Sequence, residues 1–255
     1  MRNAFRLISF IEGISYLLFY LLLGAVLLFL NNDLSKAVIT LMNVIIILVP
    51  LIGTLFGVMY YYNSKEFTEL LLAQPIKRSS IFIGQYLGVA LSLCMSLIIG
   101  LGIPFVLYGL FQSNEIWDFV LLLVTGTFLT LIFTALAFNI ALYNENKIKG
   151  FSYSILLWLF MAVIYDGLFL MSLIAFQSYP LDSFSIGATM FNPIDLSRIL
   201  ILLKLDISAL LGYTGAVFKK FFGTGLGLFI SIGALSLWVV LPVLNIYRKC
   251  RKKDF

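Results

Sequence analysis

In a chain of 255 residues, 62% are hydrophobic and 11% charged, where soluble domains carry roughly 25% charged residues. A water-soluble fold of this size could not bury so much apolar surface, so lipid is the solvent for most of it, and the length allows one membrane domain. The net charge of +5 comes from lysines and arginines at the ends of apolar runs, which points to membrane orientation and away from nucleic acid; the absence of histidine removes His-ligated haem, His-based zinc and histidine general bases.

A spanning helix needs about 20 mostly apolar residues. The opening MRNAFRLISFIEG does not read as a cleavable signal, because the apolar stretch after it is too long and no clean cleavage site follows. Residues 3–12, interrupted by Arg2, Arg6 and Glu12, predict a short interfacial helix. Spans are then expected at 14–30, 37–62, 81–111, 119–142, 151–177 and 225–247. The third carries Gly100, Gly102 and Pro104, which predicts a kink or tilt near its outer end. Cys94 lies inside that span and Cys250 in the basic tail, at different membrane levels, so no disulfide is expected.

Placing the N-terminus inside puts Arg2, Arg6, Lys65, Lys77, Arg78, Lys147, Lys149, Arg248, Lys249, Arg251, Lys252 and Lys253 in the cytoplasm. Only Lys36, Arg198, Lys204, Lys219 and Lys220 remain outside, four of them in one long loop that weighs little in the positive-inside rule. Both termini are therefore expected inside.

Two segments between spans have helical patterns of their own. In the inner loop NSKEFTELLLAQPIKRSS, residues 63–80, Asn63 or Ser64 can cap a helix with Glu66 in its first turn. Phe67, Leu70 and Leu71 form an apolar side and Glu66 and Glu69 an exposed one; Pro75 ends the helix. Such a helix either anchors in headgroups or docks a cytoplasmic partner, and the paired acids favour docking because anionic headgroups repel them. In the outer region, residues 178–224, Asn192 is an N-cap candidate and Pro193 suits the first helical position. A second stretch there puts Ile207, Leu210, Leu211, Val217, Phe218, Phe221 and Phe222 largely on one face. These fit two interfacial helices capping the bundle, or a platform for an outer partner with Asn192, Asp195, Arg198, Lys204, Asp206, Lys219 and Lys220 as its polar groups.

Asp166 sits within the fifth span. A centred aspartate costs about 2.5–3.5 kcal/mol on insertion scales, so it is expected to face the bundle or water, hydrogen-bonded to a Ser, Thr or Tyr or placed at a substrate or gating position. Gly84, Gly88, Ser92, Ser96 and Gly100, and likewise Thr127, Thr130 and Thr134, form stripes of small residues that predict close helix approach. Met42, Met59, Met95, Met161, Met171 and Met190 are scattered and read as core filling rather than a copper(I) path. No GxxxxGK[ST], GxSxG, HExxH or CxxC occurs, so any ATP-driven work requires an ATPase on another chain.

The stretch KEFTELLLAQPIKRSSIFIGQYLG resembles the signature of the ABC-2 type permeases: an acidic residue, a short E-LLL helix, a proline, a basic residue, then G-(K/Q)-x-x-G opening the third span. NPIDLSRILILLKLD and LLGYTGAVF extend the resemblance to the permeases of transporters that serve nitrous oxide reductase maturation. The resemblance implies an all-α, six-span type V permease in a bacterial inner membrane. It implies a homodimer carrying two cytoplasmic ATPase subunits, with ATP and magnesium bound by those subunits and no cofactor, metal or catalytic residue in this chain. Glu66, Phe67, Glu69, Leu70, Leu71, Gln74, Pro75 and Arg78 would form a coupling helix seated in a groove of the ATPase. The outer helices would report its motion to a periplasmic copper-handling protein, so that the permease transmits force more than it conducts a solute.

Because exporters of drugs, peptides and bacteriocins share this loop, an exporter permease is the alternative. An ATP-independent carrier would show repeats with broken helices at mid-membrane, and no clear repeat is visible. An intramembrane enzyme would need a paired catalytic set, and Asp166 stands alone.

Overall fold

The computed structural model describes residues 2–31, 33–75, 77–113, 115–176, 181–204, 218, 220–223 and 225–252, with side chains at all of these except 2–12, 182, 204 and 252. The described elements are helical: α1 (Arg2–Asn31), α2 (Leu34–Asn63), α3 (Lys65–Leu72), α4 (Arg78–Leu107), α5 (Ile116–Tyr143), α6 (Lys147–Leu159), a π-helical segment (Phe160–Ile164), α7 (Tyr165–Ala175), α8 (Asp182–Phe191), α9 (Pro193–Lys204) and α10 (Gly225–Lys252). Six are long and apolar enough to cross a membrane, counting α6 through α7 as one. The 30 residues of α2 rise about 45 Å, more than the roughly 30 Å of hydrocarbon, so its ends reach the headgroups. The chain is thus an all-α, multi-span membrane protein.

Small residues set the helix pairing, because without a Cβ two backbones can approach closely. α1 and α4 run parallel: Ser96 Oγ donates to Gly13 O at 3.2 Å, Gly100 lies against Leu17 and Tyr20, and Gly24 lies against Pro104. α2 and α5 pair in the same way, with Gly53 on Thr130 and Thr134 and Gly57 on Thr134 and Ala137. Tyr20, Leu41, Ile45, Leu97, Leu101, Leu122 and Phe133 close the core between the pairs. One end of the bundle, the termini face, carries the α2–α3–α4 connection, the α5–α6 turn and the end of α10. The opposite end, the far face, carries α8 and α9.

A β-carbon on Gly100 would sit 2.7 Å from Tyr20 Cβ and 2.9 Å from Leu17 O, and one of these is backbone that cannot rotate away. Gly100→Val should therefore cost about 1–3 kcal/mol, seen as a lower melting temperature in mild detergent. Gly84→Val should cost little, since nothing lies within 4 Å of its β-carbon position. Equal losses in both variants would refute this pairing of α1 with α4.

Several expectations change. The predicted interfacial helix at 3–12 is the start of one continuous α1. The third span keeps Pro104 inside the helix and stops at Leu107, short of the expected 111; Gly109 follows, with a φ of 96° that is open to glycine at no steric cost. Only the upper part of the Gly84–Gly100 stripe is used, since Gly84 and Gly88 meet nothing. Thr127 turns its hydroxyl to Val124 O. The fifth span is one run, Lys147–Ala175, with a π-helical segment inside it. The first expected outer helix is α9, and it packs into the bundle. α8 and α9 meet at a bend of 118°, and Ile194, Leu196, Ile199, Leu200, Ile201 and Leu202 of α9 are buried. The second predicted outer helix covers 205–223, of which 205–217 and 219 lie outside the described residues; within it Phe218 and Phe222 are buried.

Candidate functional site

At the termini face α3 begins one residue after α2 ends. Ser64 joins them, buried, with its hydroxyl on Tyr61 O at 3.2 Å; it caps α3 without a side-chain bond to the helix. Glu66 in the first turn complements the helix dipole. Thr68 turns inward: its hydroxyl donates to Ser64 O at 2.8 Å and accepts from Gln85 Nε2 of α4 at 2.6 Å. The Thr68–Gln85 bond is buried, so water does not compete for it and α3 is tied firmly to α4.

The outward side of α3 is chemically mixed. Glu66 and Glu69 are exposed, and beside them Phe67 and Leu70 keep 40% and 64% of their surface open. Gln74 and Pro75 are exposed where the helix ends, and Leu71 is half-buried. Phe67, Leu70 and Leu71 keep one stripe of the helix, as expected from their spacing, but Phe67 and Leu70 on it are open rather than covered. A protruding helix with an aromatic, a leucine and two carboxylates suits a protein groove better than a headgroup layer. Behind it a pocket of about 530 Å³ is lined by Lys65, Glu69, Arg78, Glu145 and the rings of Tyr61 and Tyr62.

Tyr62 fixes the neighbouring turn. Its hydroxyl donates to Asn144 O at 2.6 Å, its ring lies against Gly150 where no β-carbon fits, and Lys147 Nζ reaches Asn63 Oδ1 at 3.1 Å. Asn146 caps α6 through Ile148 N at 2.9 Å. The α2–α3 junction and the α5–α6 turn therefore form one hydrogen-bonded unit.

At the far face the predicted docking set divides. Asn192 and Asp195 are corrected: both are buried. Asn192 Oδ1 accepts from Ile194 N at 3.1 Å, confirming the cap, while its Nδ2 donates to Asp195 Oδ2 and to Met161 O in the π-helical segment, both at 2.8 Å. Arg198 also turns inward and pairs with Asp166 at 2.7 Å and with Asp195 at 3.4 Å. Asp166 is thus satisfied by an arginine rather than by the expected Ser, Thr or Tyr. Tyr165 adds a bond from its hydroxyl to Ala188 O at 2.6 Å. Lys220 is exposed, Lys204 ends α9, and Asp206 and Lys219 lie outside the described residues. Sequence reasoning missed Thr68, Gln85, Tyr62 and the Asp166–Arg198 pairing. Thr68 was the visible clue, a polar residue in the short helix that belongs neither to the Phe67–Leu70–Leu71 stripe nor to the acids.

Losing the Thr68–Gln85 bond should loosen α3. Gln85→Leu removes roughly 1 kcal/mol, so amide hydrogen exchange over residues 64–72 should speed up about fivefold while the α2 and α4 cores stay protected. Unchanged exchange there would show that α3 is held by other contacts.

No protein-family model matches the chain. Two proteins named "Probable ABC transporter permease protein NosY" are similar to it. One, from Stutzerimonas stutzeri, is 25% identical over 219 residues, covering 83% of this chain and 72% of that protein. The other, from Pseudomonas aeruginosa, is 26% identical over 220 residues, covering 83% and 76%. The chain thus resembles proteins named as ABC transporter permeases, and its six helices long and apolar enough to cross a membrane are consistent with that resemblance.

Proposed function

We propose that this chain is the membrane subunit that converts ATP hydrolysis in a cytoplasmic ATPase into motion at the far face, as a homodimer in a bacterial inner membrane with both termini inside. A permease of this kind implies an ATPase partner. The observation that carries the reading is α3: an exposed, acid-flanked Phe67–Leu70 surface on a helix bolted to α4 through Thr68 and Gln85. ATP-driven closure of two ATPase subunits would press on these helices. Because Ser64 alone separates α3 from α2, such a push reaches α2 and α4 together. The α5–α6 turn, bonded to Tyr62, carries it into α6, the π-helical segment and the α8–α9 pair.

The far-face partner is proposed to be a periplasmic copper-handling protein acting in nitrous oxide reductase maturation. Copper is then that protein's cargo; this chain holds no cofactor and performs no catalysis. The support is the resemblance of residues 65–88 and 192–206 together with the two NosY-named relatives. The test is a mild-detergent pull-down from native membranes followed by mass spectrometry. Recovery of an ATPase and a periplasmic copper protein is expected. An ATPase alone would replace the copper reading with a drug or peptide exporter, and no ATPase would overturn the role of α3.

A further inference from the structure

The ends of α5 and α10 enclose an open crevice of about 1100 Å³, walled by Tyr143 and Glu145 on one side and Asn245, Arg248, Lys249 and Arg251 on the other. Three cations face one carboxylate. Lys249 Nζ lies 2.9 Å from the centre of the Tyr143 ring and the Arg251 guanidinium 5.8 Å from that of Tyr247, so aromatic faces steady the two cations.

The same face of α10 continues into the membrane. Leu237, Leu241 and Leu244 are exposed large apolar residues, and Arg248 and Arg251 are exposed beyond them. The steps of four, three, four and three residues keep all five on one helical stripe. From Leu237 to Arg248 the helix rises about 16 Å, close to half of the roughly 30 Å hydrocarbon core, which is the depth of one leaflet. Apolar for one leaflet and then basic at its rim is the polarity of a single anionic phospholipid.

We propose that this stripe and crevice bind one anionic phospholipid, its phosphate held by Arg248 and Arg251 and an acyl chain lying along Leu244, Leu241 and Leu237. Cations at this helix end also offset the macrodipole and orient the chain, but neither role holds a lipid in fixed stoichiometry. The inference rests on the membrane reading alone and stands whether or not α3 docks an ATPase.

The full chain, with any ATPase that accompanies it, is incubated in mild detergent with phosphatidylglycerol or phosphatidylcholine, gel-filtered and examined by native mass spectrometry. One phosphatidylglycerol per chain should be retained and phosphatidylcholine lost. Each cation near the surface contributes roughly fivefold in affinity, so Arg248→Gln with Arg251→Gln should weaken retention about 25-fold, while Lys36→Gln at the far face changes nothing. Undiminished retention by the double variant, or equal retention of phosphatidylcholine, overturns the proposal. Displacement by millimolar inorganic phosphate also overturns it, in favour of a soluble anion. Should the double variant aggregate, the wild-type chain answers by salt. Raising it from about 0.1 to about 1 M cuts the screening length from roughly 10 to 3 Å and should release the lipid; lipid that stays bound refutes a phosphate held by charge.

Discussion

Replacing Glu66 and Glu69 together with lysine should abolish recovery of the ATPase with this chain while leaving membrane insertion intact. Both carboxylates are exposed on α3, and reversing them puts like charges against whatever basic groups face them, costing several kcal/mol, or more than roughly a hundredfold in affinity. Insertion should not suffer, because added lysines on this loop agree with the positive-inside rule. Glu66→Gln with Glu69→Gln, which removes charge without reversing it, should lose less. Phe67→Ala should lose about 2 kcal/mol or more if its ring is the buried anchor of the interface, with no change in charge at all. ATPase recovered at wild-type level from the lysine variant would show that α3 is not the docking surface. Loss in both the lysine and the Phe67→Ala variants would define the groove as one that takes an aromatic ring flanked by acids.

The spans were legible because lipid imposes a simple rule, about 20 apolar residues per crossing, and six helices of that kind are present among the described residues. The helix at 65–72 was legible from Pro75 and the acid at Glu66. Its facing was not, because with eight residues one polar side chain decides which way it turns, and that side chain was Thr68. The π-helical segment at Phe160–Ile164 contains no proline or glycine and leaves no local mark; its consequence shows only in space, where Met161 O accepts from Asn192. α9 was misplaced for a reason visible in its composition. Ile194, Leu196, Ile199, Leu200, Ile201 and Leu202 go nearly all round the helix, and a helix apolar on every side belongs in a core rather than on a surface. Asn192 and Asp195 were read as outward because they are polar, but the cap that Asn192 forms satisfies a helix start wherever that helix lies.

Arg198→Met should be the most destabilising single change at the far face, and Asp166→Asn should be mild. The cluster holds two carboxylates and one guanidinium: Arg198 meets Asp166 at 2.7 Å and Asp195 at 3.4 Å. Removing the arginine leaves two acids close together without a cation, whereas neutralising Asp166 leaves the Arg198–Asp195 pair balanced. Stranding a buried charge costs about 3–5 kcal/mol. The side chains of Arg198 and Asp166 are 26% and 32% exposed, so screening lowers that, and about 2–3 kcal/mol is expected. At roughly 2–4 °C per kcal/mol for a chain near this size, the melting temperature in mild detergent should fall on the order of 5–10 °C for Arg198→Met and by a degree or two for Asp166→Asn. Adding Asp166→Asn to Arg198→Met should recover part of the loss, since it removes one of the stranded charges. Equal losses in the two single variants, with no recovery in the double, would mean that the pair contributes shape rather than charge. An Asp166→Asn chain that is stable and binds its ATPase, yet no longer changes the far face on ATP addition, would give Asp166 a part in the motion itself. In that case the joint between α7 and α9 does more than hold the fold together, because the same salt bridge that closes the outer end would have to open for the bundle to move.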